Sequence, residues 1–344
     1  MKQQHIDLLL SKGLFEGASQ ETELIETHIS WLILTTKFVY KIKKPIQYPF
    51  LDFSSIEQRE FYCKRELLLN RRLSDIYLEV LPIYELEGNI HLGESQGRLI
   101  DYAVKMKRLQ ASRKMDVVIQ SGNLKLKDIK KLAIQIADFH RSAEPIRKEL
   151  DLHRLKADFN DFWKLESKLS EFIGAEAREL LKASVDQSDQ FLFQHKKMIG
   201  ERLKEGYVRD VHGDLHAKNI FIYDEPVIFD CIEFNDSFRQ IDVLNDVAFF
   251  CMDLEAHDAD EMSAKFMSIY LQAFPCIKSA EEWGLFTYFK AYRANVRAKV
   301  NLLRALQAEE PQPHLEEVRK YLQLMEHYML QLGALNPQKK INSY

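Results

Sequence analysis

The chain has 344 residues, of which 46% are hydrophobic and 29% are charged, and its formal net charge is −4. A chain of this length can bury one large core or two lobes, and the composition is ordinary for a globular protein. The small negative charge provides no basic field of the kind that attracts nucleic acid, so nucleic-acid binding is not expected.

The four cysteines, Cys63, Cys231, Cys251 and Cys276, are widely spaced and form no Cys-x-x-Cys pair. This pattern argues against a zinc ribbon or a disulfide framework and favours a reducing compartment. The first residues lack the apolar stretch of a secretion signal, and no window approaches the run of about 20 apolar residues that crosses a bilayer. We therefore expect a cytoplasmic protein that does not act on a membrane.

Residues 1–108 are dominated by strand-type segments. Residues 28–34 and 38–43 are rich in β-branched, aliphatic and aromatic side chains and flank the polar residues 35–37. Such a pair of segments around a short polar turn predicts a β-hairpin.

One long helix and two more strands follow that hairpin. Ser54-Ser55-Ile56-Glu57 offers a capping box ahead of a helical apolar repeat, which predicts a helix from about Ser55 to Leu73. Strands are predicted over 78–86 and 99–106, with a turn signal at 87–89 between them. The region therefore predicts a twisted antiparallel sheet that carries one helix.

From residue 109 onwards the apolar residues recur mainly with a helical period. Short strands are predicted only at 220–222 and 227–229, and residues 335–344 are expected to fray. The sequence thus predicts a sheet-containing N-lobe over 1–108 and a helical C-lobe over 109–334. Its helical patterns cover 129–141, 155–170, 174–204, 240–272, 279–308 and 314–332.

The segment Val211 to Asn219 contains the most specific motif. Asp214 precedes Asn219 by five positions, and Asp230 follows directly after the apolar run 227–229. Phosphoryl transfer from ATP uses one carboxylate to orient the attacking hydroxyl, and an amide plus a second carboxylate to hold Mg²⁺. Asp214 is therefore the candidate catalytic base, and Asn219 and Asp230 are the candidate magnesium ligands, because both offer hard oxygen atoms.

The N-terminal region contains candidates for contacts with the nucleotide. Lys41 and Lys43 alternate on one face of a predicted strand, so either could reach the α- and β-phosphates. The following helix carries Glu60 and Glu66, and we favour Glu66 as the partner that fixes the lysine in place. The strand over 99–106 would connect the lobes, and backbone groups near Met106 and Arg108 could hydrogen-bond adenine.

These motifs resemble the aminoglycoside phosphotransferase branch of the kinase-like superfamily. More narrowly, the chain is similar to uncharacterised bacterial proteins of that branch, some of which carry an added C-terminal P-loop domain. The matching segments run from about residue 24 to residue 300 and include 39–45, 50–54, 66–73, 102–106, 212–219, 229–234, 241–249 and 252–254.

The resemblance implies an α+β, bilobal protein-kinase-like fold with ATP in the cleft between the lobes. It assigns the base to Asp214 and the metal ligands to Asn219 and Asp230, and it pairs Lys43 or Lys41 with Glu66. Asp242 and Asp246 fall in the helix after the metal aspartate, where we interpret them as structural.

Some features depart from the pattern of the superfamily. No glycine occurs between Ala18 and Gly88, so a glycine-rich phosphate loop is missing, and Asp230 is followed by Cys231 rather than by Phe-Gly. His216 stands where protein kinases carry a lysine. No Gly-x-x-x-x-Gly-Lys-Ser/Thr segment occurs, so the added P-loop domain is not expected here.

The sequence therefore predicts an ATP- and Mg²⁺-dependent kinase that phosphorylates a hydroxyl of a small molecule. A catalytically weak pseudokinase or regulatory binding module is the alternative, and a protein kinase is disfavoured because no Ala-Pro-Glu-like segment is present. A hydrolytic metal site at His212, Asp214 and His216 is disfavoured because no further cluster completes its ligand shell. The acceptor, the choice between ATP and GTP, and the oligomeric state stay open.

Overall fold

This computed structural model describes residues 1–12, 15, 22–48, 51–93 and 96–334. The described chain folds into two compact units. The predicted division at 108/109 stays a prediction, and the tail predicted to fray, 335–344, lies outside the described residues. The first unit contains 1–118, 212–214 and 218–239, and the second contains 119–211, 215–217 and the chain from 240 onwards.

Helices and strands follow one another along the described chain. Those up to residue 120 are α1 (Gln3–Lys12), β1 (Glu23–Glu26), β2 (Ser30–Leu34), β3 (Phe38–Lys43), β4 (Gln47–Tyr48), β5 (Leu51–Asp52), α2 (Ile56–Asn70), β6 (Tyr77–Leu86), β7 (Asn89–Leu92), β8 (Arg98–Lys107) and α3 (Met115–Gln120). Those from 126 to 255 are α4 (Leu126–Ser142), α5 (Leu152–Asn160), α6 (Glu166–Phe172), α7 (Ala175–Gln194), α8 (Lys196–Lys204), β9 (Val208–Asp210), β10 (Ile220–Phe221), β11 (Val227–Ile228), α9 (Asp236–Arg239), β12 (Gln240–Asp242) and α10 (Val243–Glu255). The last three are α11 (Asp260–Ala273), α12 (Ala280–Ala305) and α13 (Gln312–Ala334).

The first unit is built on a six-stranded antiparallel sheet with the order β1-β2-β3-β8-β6-β7. The predicted hairpin is formed by β2 and β3, and Thr35 closes its turn by accepting a hydrogen bond from the Phe38 N–H at 3.1 Å. The sequence did not predict β7. The strand exists because Glu87 and Gly88 both adopt left-handed φ values, 52° and 76°, which turn the chain back onto β6.

One face of this sheet packs against α1, a helix that the sequence analysis did not predict. Tyr40, Ile42 and Ile83 on the strands share a buried cluster with Ile6 and Leu9 of α1. Both of these α1 side chains are fully buried. An apolar repeat in a helix of ten residues is too short to be distinguished by periodicity alone.

Helix α2 packs against β8 and β6. It begins one residue later than the predicted capping box implies, because Ser55 rather than Ser54 is the N-cap and accepts a hydrogen bond from the Gln58 N–H at 3.2 Å. Ser54 instead donates to the carboxylate of Asp52. The helix ends at Asn70, so it is shorter than predicted.

The second unit is mostly helical. Helix α10 packs against α11 and α12, and α12 packs along α13. The predicted pattern over 240–272 contains β12 and two helices, because the chain turns between α10 and α11, where Asp258 has a left-handed φ of 57°. In the part of the chain that the structure describes, no helix is long and apolar enough to cross a membrane.

Two aspartates interpreted as structural stabilise this helical unit. Asp242 caps α10 and receives two hydrogen bonds from the buried Arg202, at 2.7 and 2.9 Å. Asp246 is fully buried and lies 3.0 Å from the Nε2 atom of His140.

The predicted α+β class is confirmed: an antiparallel sheet carries one long helix, and the larger part of the chain is helical.

Candidate active site

The loop around Asp214 depends on a glycine. Gly213 has a left-handed φ of 84°, and a Cβ atom at this position would lie 2.7 Å from the Phe238 carbonyl oxygen and 3.1 Å from the Arg239 Cα. A larger residue would therefore face both backbone strain and a steric clash. The neighbour of Asp214 is a glycine for reasons of backbone geometry and close packing.

His212 joins this loop to the segment that precedes Asp230. Its Nδ1 atom accepts a hydrogen bond from the Asp214 N–H at 3.1 Å, and its Nε2 atom lies 3.0 Å from the Phe229 carbonyl oxygen. A neutral imidazole with its proton on Nε2 satisfies both contacts. His212 is 1% exposed, so these two contacts lie in the interior and link the loop to Phe229.

Asn219 and Asp214 are in direct contact. The Nδ2 atom of Asn219 donates to the Asp214 carbonyl oxygen and to its carboxylate Oδ2, both at 3.0 Å. The amide nitrogen is therefore the atom that faces Asp214, and the amide oxygen is the atom that a cation would contact. The spacing of five residues seen in the sequence thus corresponds to a physical pair.

The short hairpin of β10 and β11 joins the segment that ends at Asp230 to the backbone of Asn219. Ile220 lies opposite Ile228, and the Phe229 N–H donates to the Asn219 carbonyl oxygen at 3.1 Å. Asp230 has a left-handed φ of 64°, a conformation that aspartate tolerates better than most residues. Its side chain is 43% exposed, so the carboxylate that follows this hairpin faces solvent.

The described residues contain no group of three or more His, Cys, Asp or Glu side chains arranged to hold a metal ion. Asn219 and Asp230 offer one amide oxygen and one carboxylate. This donor set fits Mg²⁺, which usually takes few protein ligands and completes its octahedron with phosphate and water oxygens. It does not fit a structural zinc site, which needs four protein ligands.

Lys41 and Lys43 of β3 contact Glu66 of α2. Lys41 Nζ lies 2.8 Å from Glu66 Oε1 and 2.7 Å from Asp230 Oδ1. Lys43 Nζ lies 2.7 Å from Glu66 Oε2, and its side chain is fully buried. The alternative partner, Glu60, instead pairs with Lys64 on the exposed side of α2. The structure thus places Glu66, rather than Glu60, against both lysines.

The electrostatics of this group keep the lysines and Glu66 charged. Burial lowers the pKa of Lys41 and of Lys43, but the attraction of nearby carboxylates outweighs it and holds both pKa values above the usual range. Burial raises the pKa of Glu66, but the two ammonium groups outweigh it and lower that pKa. Each charged form is therefore stabilised by a partner.

Sequence reasoning missed Glu233. Its carboxylate forms an ion pair with Lys43, and its side chain is only 4% exposed. Burial raises the pKa of Glu233, and the attraction of Lys43 offsets this only in part. Two lysines on one buried strand face need more than one carboxylate, which is the signal that could have pointed to Glu233.

Asn70 and Tyr77 also hold the segment that contains Asp230 and were not singled out from the sequence. The Cys231 N–H donates to Asn70 Oδ1 at 2.9 Å, and the Asp230 N–H donates to the Tyr77 hydroxyl oxygen at 3.0 Å. Asn70 also donates to the Glu66 carbonyl oxygen at 3.0 Å. The side chains of α2 and β6 therefore fix the backbone on both sides of the Asp230 Cα atom.

Backbone groups near Met106 and Arg108 are the predicted adenine contacts, and those of Arg108 already have partners in part. The Arg108 N–H group donates to the Lys37 carbonyl oxygen at 2.8 Å, and its guanidinium donates to the Thr35 carbonyl oxygen at 2.9 Å. Met106 lies within β8, opposite Val39 on one side and Tyr77 on the other. The Arg108 N–H is thus engaged by the turn between β2 and β3, and the adenine contact near Met106 and Arg108 stays a prediction.

No protein-family model matches the chain. Uncharacterised proteins of Mycobacterium tuberculosis and Mycobacterium bovis are 29% identical to it over 311 residues, which is 88% of this chain. The match covers 59% of the length of these curated relatives.

Solved structures resemble the fold over nearly the whole chain. A choline/ethanolamine kinase family protein from Mesorhizobium loti superimposes with a TM-score of 0.56 at 12% identity, covering 97% of this chain and 99% of its own. The chain has a kinase-like fold. An aminoglycoside 2′-phosphotransferase-IIIa, solved as its GDP complex, gives a TM-score of 0.54 at 14% identity, with coverage of 96% and 99%.

A third similar structure is the amicoumacin kinase hAmiN, solved in complex with AMP-PNP, Ca²⁺ and Ami. It gives a TM-score of 0.51 at 12% identity and covers 94% of this chain and 92% of its own. These neighbours confirm the predicted kinase-like fold. At such low identity the likeness establishes the fold, and the activity must be argued from the site.

Proposed function

We propose that this protein transfers the γ-phosphoryl group of ATP, with Mg²⁺, to a hydroxyl group of a small molecule. The observation that carries the proposal is the pairing of Asn219 with the Asp214 carboxylate beside the hairpin that presents Asp230. The kinase-like fold supports a phosphotransferase, and the donor set supports a magnesium-bound nucleotide.

Asp214 is the base in this proposal. Its carboxylate accepts a hydrogen bond from the acceptor hydroxyl and takes the proton as the hydroxyl oxygen bonds to the γ-phosphorus. The bond between the γ-phosphorus and the β,γ-bridging oxygen breaks, and ADP leaves. The contact with Asn219 Nδ2 keeps the carboxylate in one orientation, so most of its contribution is positioning.

Asn219 and Asp230 would hold Mg²⁺, which neutralises charge on the phosphate oxygens when it is bound. Lys41 is the better candidate for the phosphates than Lys43. The Lys41 side chain is 10% exposed and touches the partly exposed Asp230, whereas Lys43 is fully buried between two carboxylates. This assignment separates two lysines that the sequence left equivalent.

The decisive experiment compares Asp214→Asn with Asp224→Asn. Asp224 lies on the exposed turn of the same β10–β11 hairpin, so its change removes the same charge from a neighbouring surface. ATP consumption with a library of hydroxyl-bearing metabolites should identify an acceptor. We expect Asp214→Asn to lower kcat by about a hundredfold or more, with an unchanged Tm. Wild-type turnover in Asp214→Asn would overturn the proposal.

A nucleotide-binding module without catalysis is the second candidate. The turn between β2 and β3 contains no glycine, and Thr35 already receives the Phe38 N–H, so this turn offers a poorer phosphate cradle. Binding of ATP measured with and without Mg²⁺, together with the turnover assay, separates the two. Magnesium-dependent binding without phosphate transfer to any acceptor in the library would favour the binding module.

A further inference from the structure

Five charged side chains in the first unit form what we call the buried charge cluster: Lys41, Lys43, Glu66, Asp230 and Glu233. Glu66 divides its two oxygens between the lysines, at 2.8 Å to Lys41 and 2.7 Å to Lys43. Each lysine then contacts one more carboxylate, Asp230 for Lys41 and Glu233 for Lys43. The cluster is therefore a series of ion pairs, with Asp230 at one end and Glu233 at the other.

The two ends of this series of ion pairs differ in exposure. The Asp230 side chain is 43% exposed, whereas Lys43 and Glu66 are fully buried and Glu233 is 4% exposed. A lysine that binds a phosphate must leave part of its carboxylate contacts, and only Lys41 lies at the exposed end. When Lys41 moves, Glu66 still has Lys43 as a buried partner.

The buried end of this series of ion pairs also connects α2 to residues 230–236, which we call the Asp230 segment. Glu233 lies three residues after Asp230, and Lys43 joins it to Glu66 on α2. The same segment is bonded to α2 through Asn70 and Cys231, and the Arg65 side chain of α2 forms an ion pair with Asp236. The position of Asp230 is therefore coupled to that of α2 at several points, of which the Lys43 ion pairs are the most deeply buried.

We propose that Lys43 and Glu233 are positioning residues, which hold Asp230 in place for its metal ion while Lys41 exchanges Asp230 for a phosphate. The proposal rests on the proposed function. It assigns different roles to the two lysines: Lys41 contacts the nucleotide, and Lys43 holds the geometry of Asp230 from behind.

Charge balance predicts how the variants should rank by their loss in the free energy of unfolding. Lys43→Met leaves Glu66 and Glu233 with Lys41 as their remaining cluster cation, so it should be the most damaging change. Glu233→Met leaves Lys43 paired with Glu66, and Glu233→Gln also keeps an oxygen that accepts from Lys43. In the double variant Lys43→Met/Glu233→Met, no unpaired buried charge remains at this end, so it should be milder than Lys43→Met alone.

Hydrogen exchange of the ligand-free protein tests the positioning directly. The Cys231 and Ile232 amides donate to Asn70 Oδ1 and to the His212 carbonyl oxygen, so their exchange reports the anchoring of this segment. In Glu233→Met we expect both amides to exchange about tenfold faster, and in Glu233→Gln close to the wild-type rate. Glu60→Gln on the exposed side of α2 is the matched control and should change neither rate.

Magnesium titration of nucleotide binding provides the functional readout. We expect Glu233→Met to raise the Mg²⁺ concentration for half-saturation about tenfold, whereas nucleotide binding without metal stays unchanged. Unchanged exchange and an unchanged magnesium requirement in Glu233→Met would overturn the inference. If the wild-type protein binds no magnesium nucleotide, the proposed function fails instead, and the exchange rates still decide whether Glu233 positions Asp230.

Discussion

Helices α2 and α10 both have buried side chains, but those side chains differ in polarity. In α10 the residues from Val243 to Leu254 are all buried, and most of them are apolar. In α2 the buried face consists of Arg59, Cys63, Glu66, Leu69 and Asn70. Helix α10 therefore builds a core. Helix α2 instead buries polar side chains, among them Asn70, which bonds to Cys231 beside Asp230, and Glu66, which contacts both lysines.

The difference has a thermodynamic consequence. Apolar burial stabilises a fold in proportion to area, whereas a buried ion pair gains little net stability and becomes strongly destabilising once one partner is removed. The buried face of α2 is therefore better explained by the geometry that it imposes than by the stability that it adds. Variants on the two helices should separate these effects.

The largest loss of stability is expected from the core of α10. Phe250→Ala removes a fully buried ring that contacts Phe266, with ring centroids 4.7 Å apart. We expect the free energy of unfolding to fall by about 3–5 kcal/mol, measured by urea denaturation. The magnesium dependence of nucleotide binding should stay unchanged in the molecules that remain folded. A shifted magnesium requirement would show that α10 also positions the site.

Glu66→Gln should affect both stability and binding. The change removes the carboxylate shared by two buried lysines, so the free energy of unfolding should fall by about 3 kcal/mol. Nucleotide affinity should fall at the same time, because Glu66 is the carboxylate that Lys41 would keep as a partner while it binds the phosphate. Measured side by side, a loss of stability with unchanged nucleotide affinity would contradict the role assigned to Lys41.

Asn70→Ala tests the smallest of these contributions. It leaves the buried Cys231 N–H without its acceptor, so we expect a loss of about 1–3 kcal/mol in the free energy of unfolding. Faster exchange should be confined to the amides near Cys231. Exchange that rises equally throughout α10 would mean that the change acts on global stability rather than on this segment.

The sequence by itself determined the local parts of this protein. Segments rich in β-branched, aliphatic and aromatic residues on both sides of a polar turn predicted β2 and β3, and a helical repeat predicted α2. The spacing of Asp214, Asn219 and Asp230 was equally readable, since one short loop and one short hairpin span it. Segments too short to show a period, such as α1, β7 and β9, were not predicted.

The tertiary structure decided which side chains meet across long sequence separations. The choice of Glu66 over Glu60, the different exposure of Lys41 and Lys43, and the contact between Lys43 and Glu233 depend on how the sheet, α2 and the Asp230 segment pack. Residues 43 and 233 are 190 positions apart, and periodicity carries no information over such a distance. Local spacing therefore predicted the chemical groups, and packing selected their partners.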